Sequence, residues 1–234
     1  MSLLPNNHHG GLFVKAPADA VVDCLVKWGN EEPPSRITTV RRHRLPLEQA
    51  WALVAERNWH PDRAIVVPVA GGWTAFFNNH SREFSPASEK YILALRLKTE
   101  AYWFYYDDEP DSTHRRSAHF VVERKGDSKL IRSVMLIKES GWEFKEHGPR
   151  LPFERADLYA LRRKHDRLNL DVLRQYGEAL GLRFGDLSAY GDEITFLKWA
   201  RKPPPDTTSS LRKLLRVFGR PSLIAGRSDP RPPV

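Results

Sequence analysis

Titratable side chains crowd one short stretch of this chain: Asp107, Asp108, Glu109, Asp111 and His114. Clustered carboxylates can hold Mg²⁺ or Ca²⁺ and so support hydrolytic chemistry. The spacing lacks the central Gly and distal Glu of an EF-hand, and Arg115 and Arg116 follow at once and would oppose a cation. The run therefore reads as a solvated hairpin loop, whose exposed charge suits a basic partner rather than a metal. Asp107, Asp108, Glu109 and Asp111 are the candidate partner-binding residues, together with Trp103, expected to be exposed on the strand just before them.

Other chemistry-bearing residues nominate less. His165, Asp166 and Asn169 resemble a kinase catalytic loop in spacing, but no Gly-rich loop, DFG or strand lysine accompanies them. They read instead as the end of one helix and the cap of the next. His8, His9, Asn78, Asn79 and His80 have no companion spacing for zinc. No phosphate-binding loop, dinucleotide fingerprint or nucleophile elbow occurs, so no cofactor is expected. A Ser/His/Asp site spread over the sequence stays open. Cys24 is the one cysteine, which excludes an intrachain disulfide and fits a reducing cytoplasm. It lies on the apolar stripe Val21, Cys24, Leu25, Trp28, where a thiol packs and is inert.

The elements that must position these groups read as α+β. A strand near 11–16 leads to a helix from Pro17 to about Trp28. Arg36–Arg44 is a strand and 46–57 a helix. Residues 64–70 and 73–77 flank Gly71 and Gly72 as a hairpin, with Pro68 pointing to an edge or a bulge. Ser85 and Pro86 open a helix that is apolar nearly all round through Leu97. Strands at 101–106, 117–123, 130–137 and 142–145 form a C-terminal meander, with Val121, Val134, Leu136 and Phe144 inward and the alternating polar residues on a wet face. Helices follow at 155–165 and 170–180, the second capped by Asn169 and closed by Gly181. A last strand covers 193–198. Without βαβ alternation the sheet is expected to be mostly antiparallel and packed by helices.

Charge separates the chain into two parts. The formal net charge is +8 over 234 residues, and 201–234 holds +6 of it, leaving +2 for residues 1–200. The body, 1–200, reads as one domain whose stretches 11–79 and 85–146 look loosely alike. Residues 201–234 read as a Pro-rich linker, a short basic amphipathic helix and a disordered end. In that helix Leu211, Leu214, Leu215 and Phe218 share a face, and Arg212, Lys213, Arg216 and Arg220 lie off it. A surface-docked helix is the first expectation, ahead of a partner groove, an anionic membrane surface and nucleic acid. No run is long and apolar enough for a spanning helix, and a cytoplasmic protein is expected.

One set of patterns carries a resemblance: Gly72, Trp73, Thr74, Ala75, Phe76, Phe77, Asn78 and Asn79; Gly141, Trp142, Glu143 and Phe144; Gly148 with Leu151, Pro152, Phe153 and Glu154; and Asp166, Arg167 and Leu173–Leu182. Over residues 11–185 the chain resembles small bacterial proteins found near polymorphic toxins. That resemblance implies an immunity role, a protein partner and no catalytic residue. Non-enzymatic protein binding is thus the leading expectation. The alternatives are a nucleic-acid-associated protein, using the tail with Arg41, Arg42 and Arg44, and a hydrolase with a dispersed site.

Overall fold

The structure is a computed structural model, and it describes residues 9–31, 36–56, 62–79, 87–107, 117–123, 130–138 and 140–201. The chain divides after Arg201, and the described residues all lie before that point. Nine strands form one antiparallel sheet: β1 (His9–Val14), β2 (Arg36–Arg44), β3 (Arg63–Val69), β4 (Trp73–Asn78), β5 (Ala101–Asp107), β6 (Ser117–Glu123), β7 (Leu130–Lys138), β8 (Trp142–His147) and β9 (Glu193–Arg201). Their order is β2-β9-β3-β4-β1-β5-β6-β7-β8. The stretches 11–79 and 85–146 therefore share one sheet, joined through β1, which pairs with both β4 and β5.

Helices cover both faces. On one, α1 (Ala18–Glu31) and α3 (Ala87–Leu97) lie side by side, α1 over β2, β3 and β4, and α3 over β1, β5 and β6. Close approach explains Gly29: a Cβ there would stand 2.8 Å from Trp199 Nε1 and 3.0 Å from Thr38 Oγ1. Cys24 is buried on this face with Val21, Val22 and Leu25, as its place on the apolar stripe predicts. On the other face lie α2 (Leu47–Ala50), its 3₁₀ continuation Trp51–Val54, α4 (Ala156–Tyr159) and α5 (Leu170–Ala179). Here Phe104 stacks on Phe184 at 4.9 Å, Phe104 meets Phe120 at 5.2 Å, and Phe120 meets Tyr176 at 5.4 Å. Each such ring contributes roughly 1.5–3 kcal/mol by burial.

This double covering corrects the expected wet face at β6, while β8 keeps it, with Glu143 and Lys145 exposed and alternating with Trp142 and Phe144. Residues 118–122 of β6 are all buried, and Val121 pairs with Ser133 while Phe120 pairs with Val134. Val121 and Val134 thus point to opposite faces, both packed. α5 begins as expected, with Asn169 Oδ1 accepting from Val172 N at 3.0 Å. It ends with Leu182 N donating to Gly177 O and Gly181, at φ 72°, donating to Glu178 O. The Gly71-Gly72 hairpin forms, but Val69 pairs with Trp73, so its loop has three residues, Ala70 included. β3 is interior rather than an edge. Its Pro68 is tolerated because the β9 ladder stops at Val66. The helix expected over 155–165 is reduced to α4 and a separate 3₁₀ turn, Lys164–Asp166. Leu161, between them, is 38% exposed. The helix apolar nearly all round buries Leu93 and Ala94 but exposes Tyr91, because it covers the sheet from one side only.

Candidate functional site

Two of the candidate residues, Trp103 and Asp107, lie on β5, and both are interior. Trp103 is 5% exposed and Asp107 2%. The expectation that they form an exposed docking surface is corrected: with α3 on one face and the α5 aromatics on the other, this strand is buried throughout except at Tyr106. Such a near-continuous apolar run is how a strand covered on both sides reads. Trp103 packs against Tyr105 at 5.9 Å and stands perpendicular to His119 at 5.1 Å, with Lys90 Nζ of α3 5.8 Å from its ring. Asp107 accepts from the Tyr105 hydroxyl at 3.4 Å. Nearby on the same face, Asn78 Nδ2 donates to Glu89 Oε1 at 3.5 Å, both residues buried.

His119 on β6 belongs to this group, and the sequence reading missed it. Its signal was a lone imidazole in the strand Ser117–Glu123. Neither ring nitrogen has a hydrogen-bond partner among the described residues. Desolvation by burial, reinforced by the Lys90 charge, pushes its pKa down to about 4, so the ring is neutral near pH 7.

On the opposite face a second buried group, also missed, sits where β7 runs past the end of its pairing with β8. Arg132 is 1% exposed, yet all its N–H donors are used. Nε and one terminal nitrogen reach Glu154, at 2.8 and 2.6 Å. That terminal nitrogen also donates to Glu146 at 2.8 Å, and the other to His147 O and Gly148 O. Glu154 accepts further from Leu151 N and from the Tyr159 hydroxyl, which meets Tyr176 Oη at 2.9 Å. Desolvation opposes the Arg132 charge, but the hydrogen bonds it donates to Glu154 and Glu146 outweigh it and hold its pKa above the ordinary value. Glu146 is brought down to about 2, first by its hydrogen bond from Arg150 and, against desolvation, by that from Arg132. Gly148 makes this closure possible: at φ 80°, its Cβ would fall 1.8 Å from Ile131 O. The Gly148–Glu154 run, singled out by its composition, is thus the clasp around an arginine. Its geometry suits a structural tie, because every polar atom that would act on a substrate is already engaged.

Asp108, Glu109 and Asp111, and the tail residues Arg212, Lys213, Arg216 and Arg220, lie outside the described residues. Asp107, just before the acidic run, pairs with Ser117, so residues 108–116 lie in sequence between two adjacent antiparallel strands. Among the described residues no three His, Cys, Asp or Glu side chains are grouped to hold a metal, and no helix is long and apolar enough to cross a membrane. Arg41, Arg42 and Arg44 lie on β2 at one end of the sheet, far in strand order from β5 and β6. Comparison with family models, with curated proteins and with solved structures finds no match to this chain.

Proposed function

We propose that this chain is a non-enzymatic binding protein of the bacterial cytoplasm that docks stoichiometrically on a basic protein, as an immunity protein does on a toxin. The acidic connection 108–116 is the contact we assign to that docking. The observation that supports it is the Asp107–Ser117 pairing, which ties both ends of a carboxylate-bearing connection to adjacent strands. Asp108, Glu109 and Asp111 fall within four residues of one another in sequence, and like charges close together along a chain steer an oppositely charged partner. Asp107 anchors this connection from within the fold rather than touching the partner.

The test is affinity capture followed by calorimetry and stopped-flow association with the captured protein. We expect one-to-one stoichiometry and an association rate that falls with salt. Replacing Asp108→Asn, Glu109→Gln and Asp111→Asn together should slow association about tenfold or more. An unchanged rate overturns the assignment. So does micromolar Mg²⁺, Mn²⁺ or Ca²⁺ binding that disappears in the triple variant, which would favour a hydrolase.

A further inference from the structure

We propose that β2 is a docking strand for an acidic, extended segment of another protein, which would add to the sheet as a tenth strand. β2 pairs with β9 at all nine positions, from Arg36–Arg201 to Arg44–Glu193, without a register shift. Among the described residues it has no second strand neighbour, and it ends the strand order. A nine-residue edge extends about 30 Å and presents a row of backbone donors and acceptors. Edges are commonly blunted by proline, by a bulge, by shortness or by charged side chains, and of these β2 carries only the charges, which repel a basic strand and admit an acidic one. β2 has no proline or glycine, and its centre is Thr38, Thr39 and Val40, residues that favour extended structure. Val40 is 41% exposed.

The charge of the strand selects the occupant. Arg36, Arg41, Arg42 and Arg44 stand in it with no carboxylate. A second copy pairing through β2 would set arginine against arginine, which is unfavourable. A partner strand with carboxylates meets both requirements, backbone pairing and charge. Two of the arginines already have acidic neighbours: Arg42 reaches Asp19 at 2.9 Å and Arg44 reaches Asp192 at 3.0 Å. Those arginine side chains are 73% and 79% exposed, and such solvated pairs are weak enough to exchange for a partner's carboxylates.

An extended peptide fits better than nucleic acid. Strand alternation sends Arg42 to the α1 face, where it meets Asp19, and Arg41 to the opposite face. A phosphate backbone tracks charges gathered on one surface, whereas an added strand carries side chains to both faces in step with β2. The other edge, β8, differs. It is six residues long, and its charges are internally matched, Glu143 with Lys145 at 2.7 Å and Glu146 with Arg132 and Arg150 at 2.8 Å.

The experiment uses the full-length chain and a nine-residue peptide of alternating Glu and Thr, followed by amide NMR and hydrogen exchange. Expected are shifts and slowed exchange confined to 36–44 and their β9 partners, weakened at least tenfold by 0.5 M salt. The double variant Arg41→Glu/Arg42→Glu should transfer the preference to the matching Lys-Thr peptide. If that variant does not fold, Arg41→Gln should weaken the acidic peptide severalfold. The proposal is overturned by no binding at millimolar peptide, or by equal binding of a fully N-methylated peptide, which keeps the charge but cannot pair. Tighter binding of duplex DNA at the same amides overturns it too, in favour of nucleic acid. Because no natural partner is needed, failure here is separable from failure of the 108–116 contact.

Discussion

Arg132 and His119 lie on adjacent strands, both buried, on opposite faces of one sheet, and they solve the same problem in opposite ways. Arg132 keeps its charge and surrounds it with Glu154, Glu146 and two carbonyls. His119 gives up its charge and sits among Trp103 and Tyr105, with Lys90 disfavouring protonation. A guanidinium cannot be neutralised, so burial obliges the fold to supply acceptors; an imidazole can be, so burial requires only that it stay deprotonated. The first site therefore depends on its neighbours and the second on pH.

The strongest way to break this contrast is to remove one half of the ion pair. Glu154→Leu should cost about 3–5 kcal/mol in urea unfolding, because it leaves a buried positive charge short of partners. Adding Arg132→Met to it should recover part of the loss, and a double variant worse than either single one would refute the pairing. Next comes the pH dependence of His119. Its folded pKa, about 4, lies below the ordinary 6.5, so the unfolded chain binds the proton more readily between those values. Its contribution is complete above pH 6.5 and is lost as pH falls through 4, up to roughly 3 kcal/mol. His119→Phe should flatten that part of the stability profile. Glu146 acts lower, losing its contribution as pH falls from 4.5 through about 2, so the two contributions separate on one titration. Tyr159→Phe should cost about 1–2 kcal/mol by removing a donor to Glu154. The smallest expected effect is His119→Phe at pH 7, within about 1.5 kcal/mol, since no hydrogen bond to a described residue is lost.

These two sites also show what the sequence could and could not convey. Local signals held: Asn169 and Gly181 bounded α5, and Gly71-Gly72 turned β3 into β4. The composition of Gly148–Glu154 drew notice, but its meaning lay in Arg132, on another strand, which no local pattern connects to it. Trp103 was misplaced because an aromatic strand has the same composition whether one face or both are covered. Deciding that requires knowing that α3 and α5 settle on opposite sides, a long-range fact. β9 was recognised as a strand, yet nothing in its sequence says that it enters between β2 and β3.

That insertion has a consequence for the order of synthesis. β2 pairs with β9 and, among the described residues, with no other strand; about 150 residues of chain separate Arg44 from Glu193. At the ribosome's usual pace of ~5–20 residues per second, β2 waits roughly 7–30 s for its neighbour to be made. Throughout that interval one side of β3 and both sides of β2 are open, at an end where, among the described residues, the finished sheet leaves open only the outer side of β2. Their closure waits for β9, so this end of the sheet is completed late in chain order, and the nascent chain is most exposed to misassociation just before β9 arrives.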